Sequence, residues 1–513
     1  MRISHAVIAA ICLSLIGCAA KRVTYHLSSL PLVTTLGSDS IAKTLTAIIE
    51  RSSLPPQDIA ILIERADGSV VYSLNAKEPM LPASTMKILT SMAVLDALGP
   101  AYRFSTDIHY TGTLNNRVLE GSLFIKGNGD PTLDVGALRR ILRRLRAQGV
   151  DRFHGKLILD TSYFQERGSI NNGFLRSSSF NPALSPLSIE NNKIKLELTT
   201  DKNARGVKRN LLALVTPVNE GFSVLADTAP LGFAAHHNPQ CYMAWSDVLA
   251  RHQISCYQET LTPASKTMSV TEPAYLFSGI FTRLAAGEGW SFSSVEKGTI
   301  PATSVKLLSH LSKPLADILP DLNIDSNNFI AEMLLLSAAS ESLDRPANEQ
   351  DAADLLERFT KETLSLRDGS LYADNGSGLS RNARLSPTHL VRAMQFADKN
   401  RDAFADLALS LPLAGWQGTL TKRLRRNQAQ LKIIGKTGHI DYVSCLTGIG
   451  HSANGQVFFF AIMNNDKQGL EQSSALSALE REEESEWQRT TVIASNFRKL
   501  QDRLLLTLLR SNL

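Results

Sequence analysis

The stretch "LPASTMKILTSMAVLDALG" (81–99) sets Ser84 and Lys87 three residues apart behind Pro82, opening a run that reads as a helix stopping near Gly99. The run is apolar on most sides, so the helix belongs inside a core. Positions i and i+3 are neighbours on a helix, which brings the Lys87 amine to the Ser84 hydroxyl. A serine hydroxyl is a weak nucleophile near neutral pH and needs an adjacent base. The helix start adds free N–H groups and a positive end, both favouring negative charge beside Ser84. Lysine is a base only when neutral, and burial together with a second nearby cation would lower its pKa. Spacing alone does not decide the matter, because S-x-x-K also occurs at Ser40 to Lys43 and at Ser294 to Lys297. Around the first, Ile41, Leu45, Ile48 and Ile49 recur at helical spacing, which puts Lys43 on a helix surface. The other lies among strand and turn signals, where Ser294 and Lys297 point to opposite faces.

Outward from this helix the chain changes texture. Upstream, "DIAILIERADGSVVYSLN" (58–75) is an apolar strand, a turn at Asp67-Gly68 and a second strand. From about 104 to 302, short β-rich segments alternate with turns, as in an inserted β-rich unit or pair of units. After 302, helical runs return in "ATSVKLLSHLSKPLADILPDL", "NNFIAEMLLLSAAS", "DAADLLERFTKETLSL" and "SPTHLVRAMQFADK". Three strands close the pattern, "QLKIIGKTGHI", "DYVSCLTGIG" and "QVFFFAIMNN", with a hairpin signal at Asn454-Gly455. The expectation is an α+β domain, 40–103 with 303–475, whose sheet is assembled from both ends of the chain and covered by helices. Residues 104–302 are the insertion, 18–39 a tether and 476–513 a charged helical tail.

A second cation is supplied by "GKTG" (435–438): Lys436-Thr437-Gly438 occurs once, on a strand, with glycines that permit close approach of a ligand. S-x-N is far less specific, matching at Ser73, Ser169, Ser179, Ser380 and Ser452; Ser326-Asn327-Asn328 is the match that sits between helices. S-x-x-K, S-x-N and K-T-G in this order resemble the penicillin-binding proteins and serine β-lactamases. "KGNGDPTL", "HLSKPLADILPDLNIDSNNFIAEMLL", "NGSGLSRNARLSP" and "LPLAGWQGTLTKRL" narrow the resemblance. It is to the D-alanyl-D-alanine carboxypeptidase/endopeptidase family typified by penicillin-binding protein 4, over about 40–465. That resemblance implies a transpeptidase-like domain, an antiparallel sheet flanked by helices, with a large β-rich insert between the first two motifs.

Carried over from the resemblance, Ser84 attacks the carbonyl between two D-alanines and Lys87 accepts its proton, a role disputed among related enzymes. Ser326 and Lys436 pass a proton to the leaving group, Asn328 binds the stem peptide, and Thr437 with Lys436 holds the terminal carboxylate. Gly438 lets the substrate approach, and the backbone N–H groups of Ser84 and His439 form the oxyanion hole. The sequence departs from the family at His439, where a small hydroxyl residue is usual, at Asn327 for Asp, and at Asn375 where Asp is common. His439 reads as an exposed strand residue or as a bulky neighbour of the carboxylate site. Asp130, in "GNGDPTL", reads as a turn residue or as a wall of the stem-peptide pocket.

At the N-terminus, Arg2 precedes an apolar stretch, Ala6 to Leu15, too short to span a bilayer and read as a secretory signal, 1–17. "LIGC" (15–18) resembles the lipobox of bacterial lipoproteins, with Cys18 as the lipidated residue. Ala19 after it resembles proteins sorted to the outer membrane, so an envelope location facing the periplasm is expected. A plain signal peptide cut near Ala19 and Ala20 is the alternative. A net charge of +5 argues against a dedicated nucleic-acid binder, and 43% hydrophobic with 20% charged residues describes a globular chain. Export would permit a Cys241–Cys256 disulfide, while Cys445 reads as buried in a strand. No metal-ligand motif is present and no cofactor is expected. The implied partners are peptidoglycan as substrate, β-lactams as inhibitors and a membrane through the N-terminal lipid; oligomeric state stays open. Two rival functions stand beside this one: a serine β-lactamase, and a non-catalytic envelope lipoprotein that binds peptidoglycan.

Overall fold

In a strand, successive side chains point to opposite faces, so a strand buried on both faces must be apolar throughout. β1 (Ile59–Arg65) and β16 (Val457–Asn465) meet that demand over "IAILI" and "VFFFAIM". The computed structural model describes residues 38–202, 208–216, 222–228, 240–246, 251–258, 264–366, 371–425, 429–477, 480–482 and 484–513. Cys18, the signal and nearly all of the expected tether therefore lie outside the described residues.

β1 and β16 are central in a five-stranded antiparallel sheet, ordered β14 (Ile433–Ile440), β15 (Val443–His451), β16, β1, β2 (Val70–Leu74). One face carries Ile59, Ile61, Ile63, Phe458, Phe460 and Ile462, packed with Ile41 and Leu45 of the helix Ser38–Glu50 and with Leu504, Leu505 and Leu508 of the helix Glu484–Leu509. The opposite face presents Ala60, Leu62, Cys445, Phe459, Ala461 and Met463 to a core shared with the helices Lys87–Leu98, Asn328–Leu343 and Pro387–Lys399. The C-terminal helix is thus part of the packing that covers the sheet. Each large aliphatic or phenylalanine side chain buried this way contributes about 1.5–3 kcal/mol, which is why the sheet holds segments from opposite ends of the chain.

Between the first and second motifs lie two further kinds of sheet. The larger is ordered β12 (Ser291–Lys297), β5 (Arg152–Asp160), β4 (Val118–Gly127), β3 (Ser105–Asn115), β13 (Val305–Leu311) and packs on the helices Val135–Ala147 and Pro273–Ala286. Two three-stranded sheets follow: β11 (Ala264–Ser269), β6 (Lys193–Lys202), β7 (Lys208–Thr216), and β8 (Phe222–Thr228), β10 (Arg251–Gln258), β9 (Gln240–Ser246). The β9–β10 register sets Cys241 opposite Cys256.

One expectation fails in detail. The run "ATSVKLLSHLSKPLADILPDL" reads as helical in sequence, but its first half contains β13, and the helix begins only at Leu315. Pairing with β3 supplies the backbone hydrogen bonds here, and tertiary context overrides the local pattern. The two discounted tetrads fall where expected: Ser40 and Lys43 on the helix Ser38–Glu50, Ser294 and Lys297 on β12.

Candidate active site

Local structure sets each motif. Ser84 lies in a 3-10 turn, Ala83–Met86, that runs into the helix Lys87–Leu98; residues i and i+3 eclipse in such a turn. Ala83 enters it with φ +46°, under Gly378, where an added Cβ would stand 1.9 Å from the Ala83 carbonyl oxygen. Ser326 follows the helix Leu315–Asn323 in the left-handed conformation (φ +56°), and Asn327 N–H donates back to the Leu322 carbonyl at 2.9 Å. That is the Schellman way of ending a helix, here with serine where glycine is usual. Asn327 then caps the next helix, accepting from Ile330 N–H, and Asn328 is that helix's first residue. One helix ends and another begins across these residues, which fixes Ser326 and Asn328 side by side at a cost of about 1–3 kcal/mol in the strained serine.

Lys87 is fully buried and its Nζ donates to Ser84 Oγ (2.8 Å), Asn328 Oδ1 (2.7 Å) and the Ser377 carbonyl (2.7 Å). Burial, and then the charge of Lys436, hold its pKa well below that of an ordinary lysine; Glu332 works in the opposite sense. Lys436, also fully buried, donates to Ser326 Oγ (2.8 Å) and to the Thr437 carbonyl (2.9 Å), and burial lowers its pKa to about 7. The tertiary structure thus brings Ser84, Lys87, Ser326, Asn328 and Lys436 into one cluster.

β14 is the edge strand of the sheet. Gly435 N–H donates away from β15, to the Pro412 carbonyl at 3.0 Å, so by the strand's period of two Thr437 and His439 also turn their N–H groups to that edge. Gly438 lies against the start of the Ser84 turn: an added Cβ would stand 2.6 Å from the Pro82 carbonyl oxygen and 3.1 Å from Ser84 N. The Thr437 hydroxyl donates to Thr419 Oγ1 at 2.7 Å. The His439 side chain is exposed, with Nδ1 3.0 Å from the Val443 carbonyl.

Asp130 is not in this cluster. Its Oδ1 accepts from Thr132 N–H and Oγ1 at 2.8 and 2.7 Å, the turn chemistry that its neighbours suggest. Other residues were not legible in the sequence. Glu332, buried one turn beyond Asn328, accepts from Gly376 N–H (3.1 Å) and Ser377 N–H (2.7 Å) and so positions the carbonyl that holds Lys87. Its i+4 spacing from Asn328 was the available signal. Asn375 Oδ1 steadies the same loop by accepting from Gly378 N–H at 3.1 Å. From the insertion, the Phe180 carbonyl accepts from Asn328 Nδ2 (2.9 Å), and Phe180 walls a cavity of about 380 Å³ that Asp441 and Arg481 also line.

The sequence model of the D-Ala-D-Ala carboxypeptidase 3 (S13) family matches residues 41–484. D-alanyl-D-alanine carboxypeptidase DacB of Haemophilus influenzae is 29% identical over 416 residues, covering 78% of this chain and 84% of the relative. D-alanyl-D-alanine carboxypeptidase of an Actinomadura species is 26% identical over 426 residues, covering 80% of this chain and 78% of the relative. The crystal structure of penicillin binding protein 4 from Haemophilus influenzae matches with a TM-score of 0.74 at 26% identity, over 90% of this chain and 99% of that one. Its complex with a novel β-lactam matches with a TM-score of 0.72 at 25% identity and the same coverage.

Proposed function

The chain belongs to the D-Ala-D-Ala carboxypeptidase 3 (S13) family, and on that premise we propose that it hydrolyses D-alanyl-D-alanine bonds of peptidoglycan through an acyl-enzyme on Ser84. The observation that carries this reading is the Lys87 amine, buried and 2.8 Å from Ser84 Oγ with its pKa pushed far down. A neutral Lys87 takes the Ser84 proton as Oγ bonds to the carbonyl carbon of the penultimate D-alanine. The oxyanion is held by Ser84 N–H, at a turn start without an intrahelical acceptor, and by His439 N–H on the strand edge, each donor worth about 3–4 kcal/mol of barrier. The C–N bond breaks as the amine takes a proton through Ser326, whose hydroxyl Lys436 holds. Water then attacks the ester, gives its proton to Lys87, and the Ser84 oxygen leaves with one.

Substrate lies along β14 as an added strand, which the open edge at Thr437 and His439 suits. Lys436, protonated below about 7, and Thr437 bind the terminal carboxylate. Asn328 and the cavity beside Phe180 receive the stem peptide. β-Lactams acylate Ser84 by the same route. Terminal cleavage and cross-link cleavage share this chemistry, so both carboxypeptidase and endopeptidase action are proposed. The secretory signal, 1–17, and lipidation at Cys18 place the enzyme in the envelope, on the periplasmic side and anchored to the outer membrane. The expected division, 40–103 with 303–475 for catalysis and 104–302 for the insertion, is proposed with two shifts: β13 goes with the insertion, whose β3 it pairs with, and the helix Glu484–Leu509 goes with the catalytic sheet that it covers.

The experiment is digestion of purified cell-wall fragments, reading the released peptides by mass. Loss of a D-alanine or opening of a cross-link, absent in Ser84→Ala, is expected, with a long-lived penicillin adduct on Ser84. Rapid hydrolysis of a reporter cephalosporin without D-alanine release would replace this reading with that of a β-lactamase.

A further inference from the structure

Behind the second motif lies a cavity of about 460 Å³, between the loop after β4, the end of β13 and the helix ends around Asn327. That is the size of a small-ligand pocket, far above what one water fills. Its walls include Asp130, Asp134, Asp321 and Asp325, against Arg140 and Lys313. Two of the carboxylates are answered inside the wall: Lys313 Nζ is 2.6 Å from Asp321, and Arg140 is 3.7 Å from Asp134. Asp325 makes no ion pair among the described residues, and Asp130 is a different case again. Its residue is 3% exposed, Oδ1 is used by Thr132, and Oδ2 has no hydrogen-bond donor among the described residues. That oxygen lines the cavity without a protein donor, so a donor brought by a ligand would complete its hydrogen bonding.

We propose that this cavity is a second ligand site, for an amino acid or short peptide with a protonated primary amine, whose ammonium sits on Asp130 Oδ2. The imbalance of unpaired carboxylates selects a cation. An organic cation fits better than a metal, since no three carboxylate, imidazole or thiol groups among the described residues converge to hold an ion. His310, on the same wall, is kept neutral near pH 7 by burial and by Arg140 and Arg144, so it offers a hydrogen bond without repelling an ammonium. Asn327 forms part of the wall, so an occupant touches the residue between Ser326 and Asn328. The site stands on its own walls and does not depend on the peptidase reading.

The test is calorimetric titration of the full protein with Nα-acetyl-L-lysine amide, with Nα-acetyl-L-norleucine amide as the same shape lacking the ammonium. Binding of the lysine probe alone is expected, equal in wild type and Ser84→Ala and unchanged after penicillin has acylated Ser84. Asp130→Asn keeps the acceptor that Thr132 uses and is expected to weaken binding ten-fold or more. Asp325→Asn, on the exposed rim, is expected to weaken it two- to three-fold and serves if the buried variant does not fold. No binding, equal binding of the norleucine probe, or affinity unchanged in the folded variants overturns the proposal. Displacement by the penicillin adduct overturns it too, by assigning the amine to the catalytic cleft.

Discussion

Gly438 of the edge strand and Ser84 of the nucleophile turn are in backbone contact: a Cβ on Gly438 would stand 3.1 Å from Ser84 N. The same Cβ would meet the Pro82 carbonyl oxygen at 2.6 Å, and neither neighbour is a flexible side-chain tip. Gly438→Ala is therefore expected to push β14 away from the turn and widen the proposed oxyanion hole. Acylation by a fluorescent penicillin is expected to slow about 100-fold or more, the scale of losing one oxyanion donor. A rate within a few-fold of wild type would show that the contact is not needed.

The two lysines give opposite limbs of a pH profile. On the proposed roles, acylation is expected to rise with pH as Lys87 loses its proton, and to fall above about 7 as Lys436 loses the charge that would attract the substrate carboxylate. Lys436→Arg cannot deprotonate in this range and is expected to be slower but without the falling limb. Stopped-flow acylation from about pH 5 to 10 measures both; a falling limb that survives the substitution removes Lys436 from this role.

Lys436 also couples stability to pH. Its folded pKa is about 7, against about 10.4 in an unfolded chain. Between these values the unfolded state binds more protons, so stability rises with pH across that window. The full difference is on the order of 4–5 kcal/mol for this fully buried group. In urea unfolding, wild type is expected to gain several kcal/mol on Lys436→Met between pH 7 and 10. A gap independent of pH would mean that the amine is charged in the fold.

Glu332 acts on Lys87 through the backbone. Glu332→Gln turns a charged acceptor of two N–H groups into a neutral amide with one acceptor, leaving Gly376 or Ser377 N–H unanswered. A stability loss of about 1–3 kcal/mol is expected. It also removes the negative charge that raises the Lys87 pKa, so the rising limb of the acylation profile moves to lower pH. Lost stability with an unmoved limb would leave Glu332 a purely structural residue.

Cys18 lies outside the described residues, and its proposed lipid is checked chemically. Metabolic labelling with a radioactive fatty acid is expected to mark the wild-type protein in the membrane fraction, and Cys18→Ala is expected to be unlabelled and soluble. Label retained by the variant would move the anchor elsewhere.

The sequence carried much of the sheet, because apolar alternation is a local signal. "VFFFAIMNN" has side chains for both faces, Phe458 and Phe460 for one and Phe459 and Ala461 for the other. It misjudged 305–311, since a strand made by pairing with β3 need not announce itself in seven residues. Within the site, the motif residues were legible as types at fixed spacings, whereas Ser377 and Phe180 act through their carbonyls and Glu332 through the N–H groups of Gly376 and Ser377 that its carboxylate holds. A carbonyl or an N–H leaves no mark on residue identity.

What the sequence determined by itself was the inventory: a serine and a lysine one turn apart, a serine and an asparagine two residues apart between helices, and a glycine-flanked lysine on a strand. Each follows from short-range geometry, and the order of the motifs pointed to the family. Only the tertiary structure decided that Lys87 and Lys436 share a space too dry for either to hold its proton firmly. It also gave Asp130 the hydrogen bonds of a turn residue, on the wall of a cavity that Asn327 shares. Desolvation belongs to what surrounds a group, and here the surroundings come from segments hundreds of residues apart.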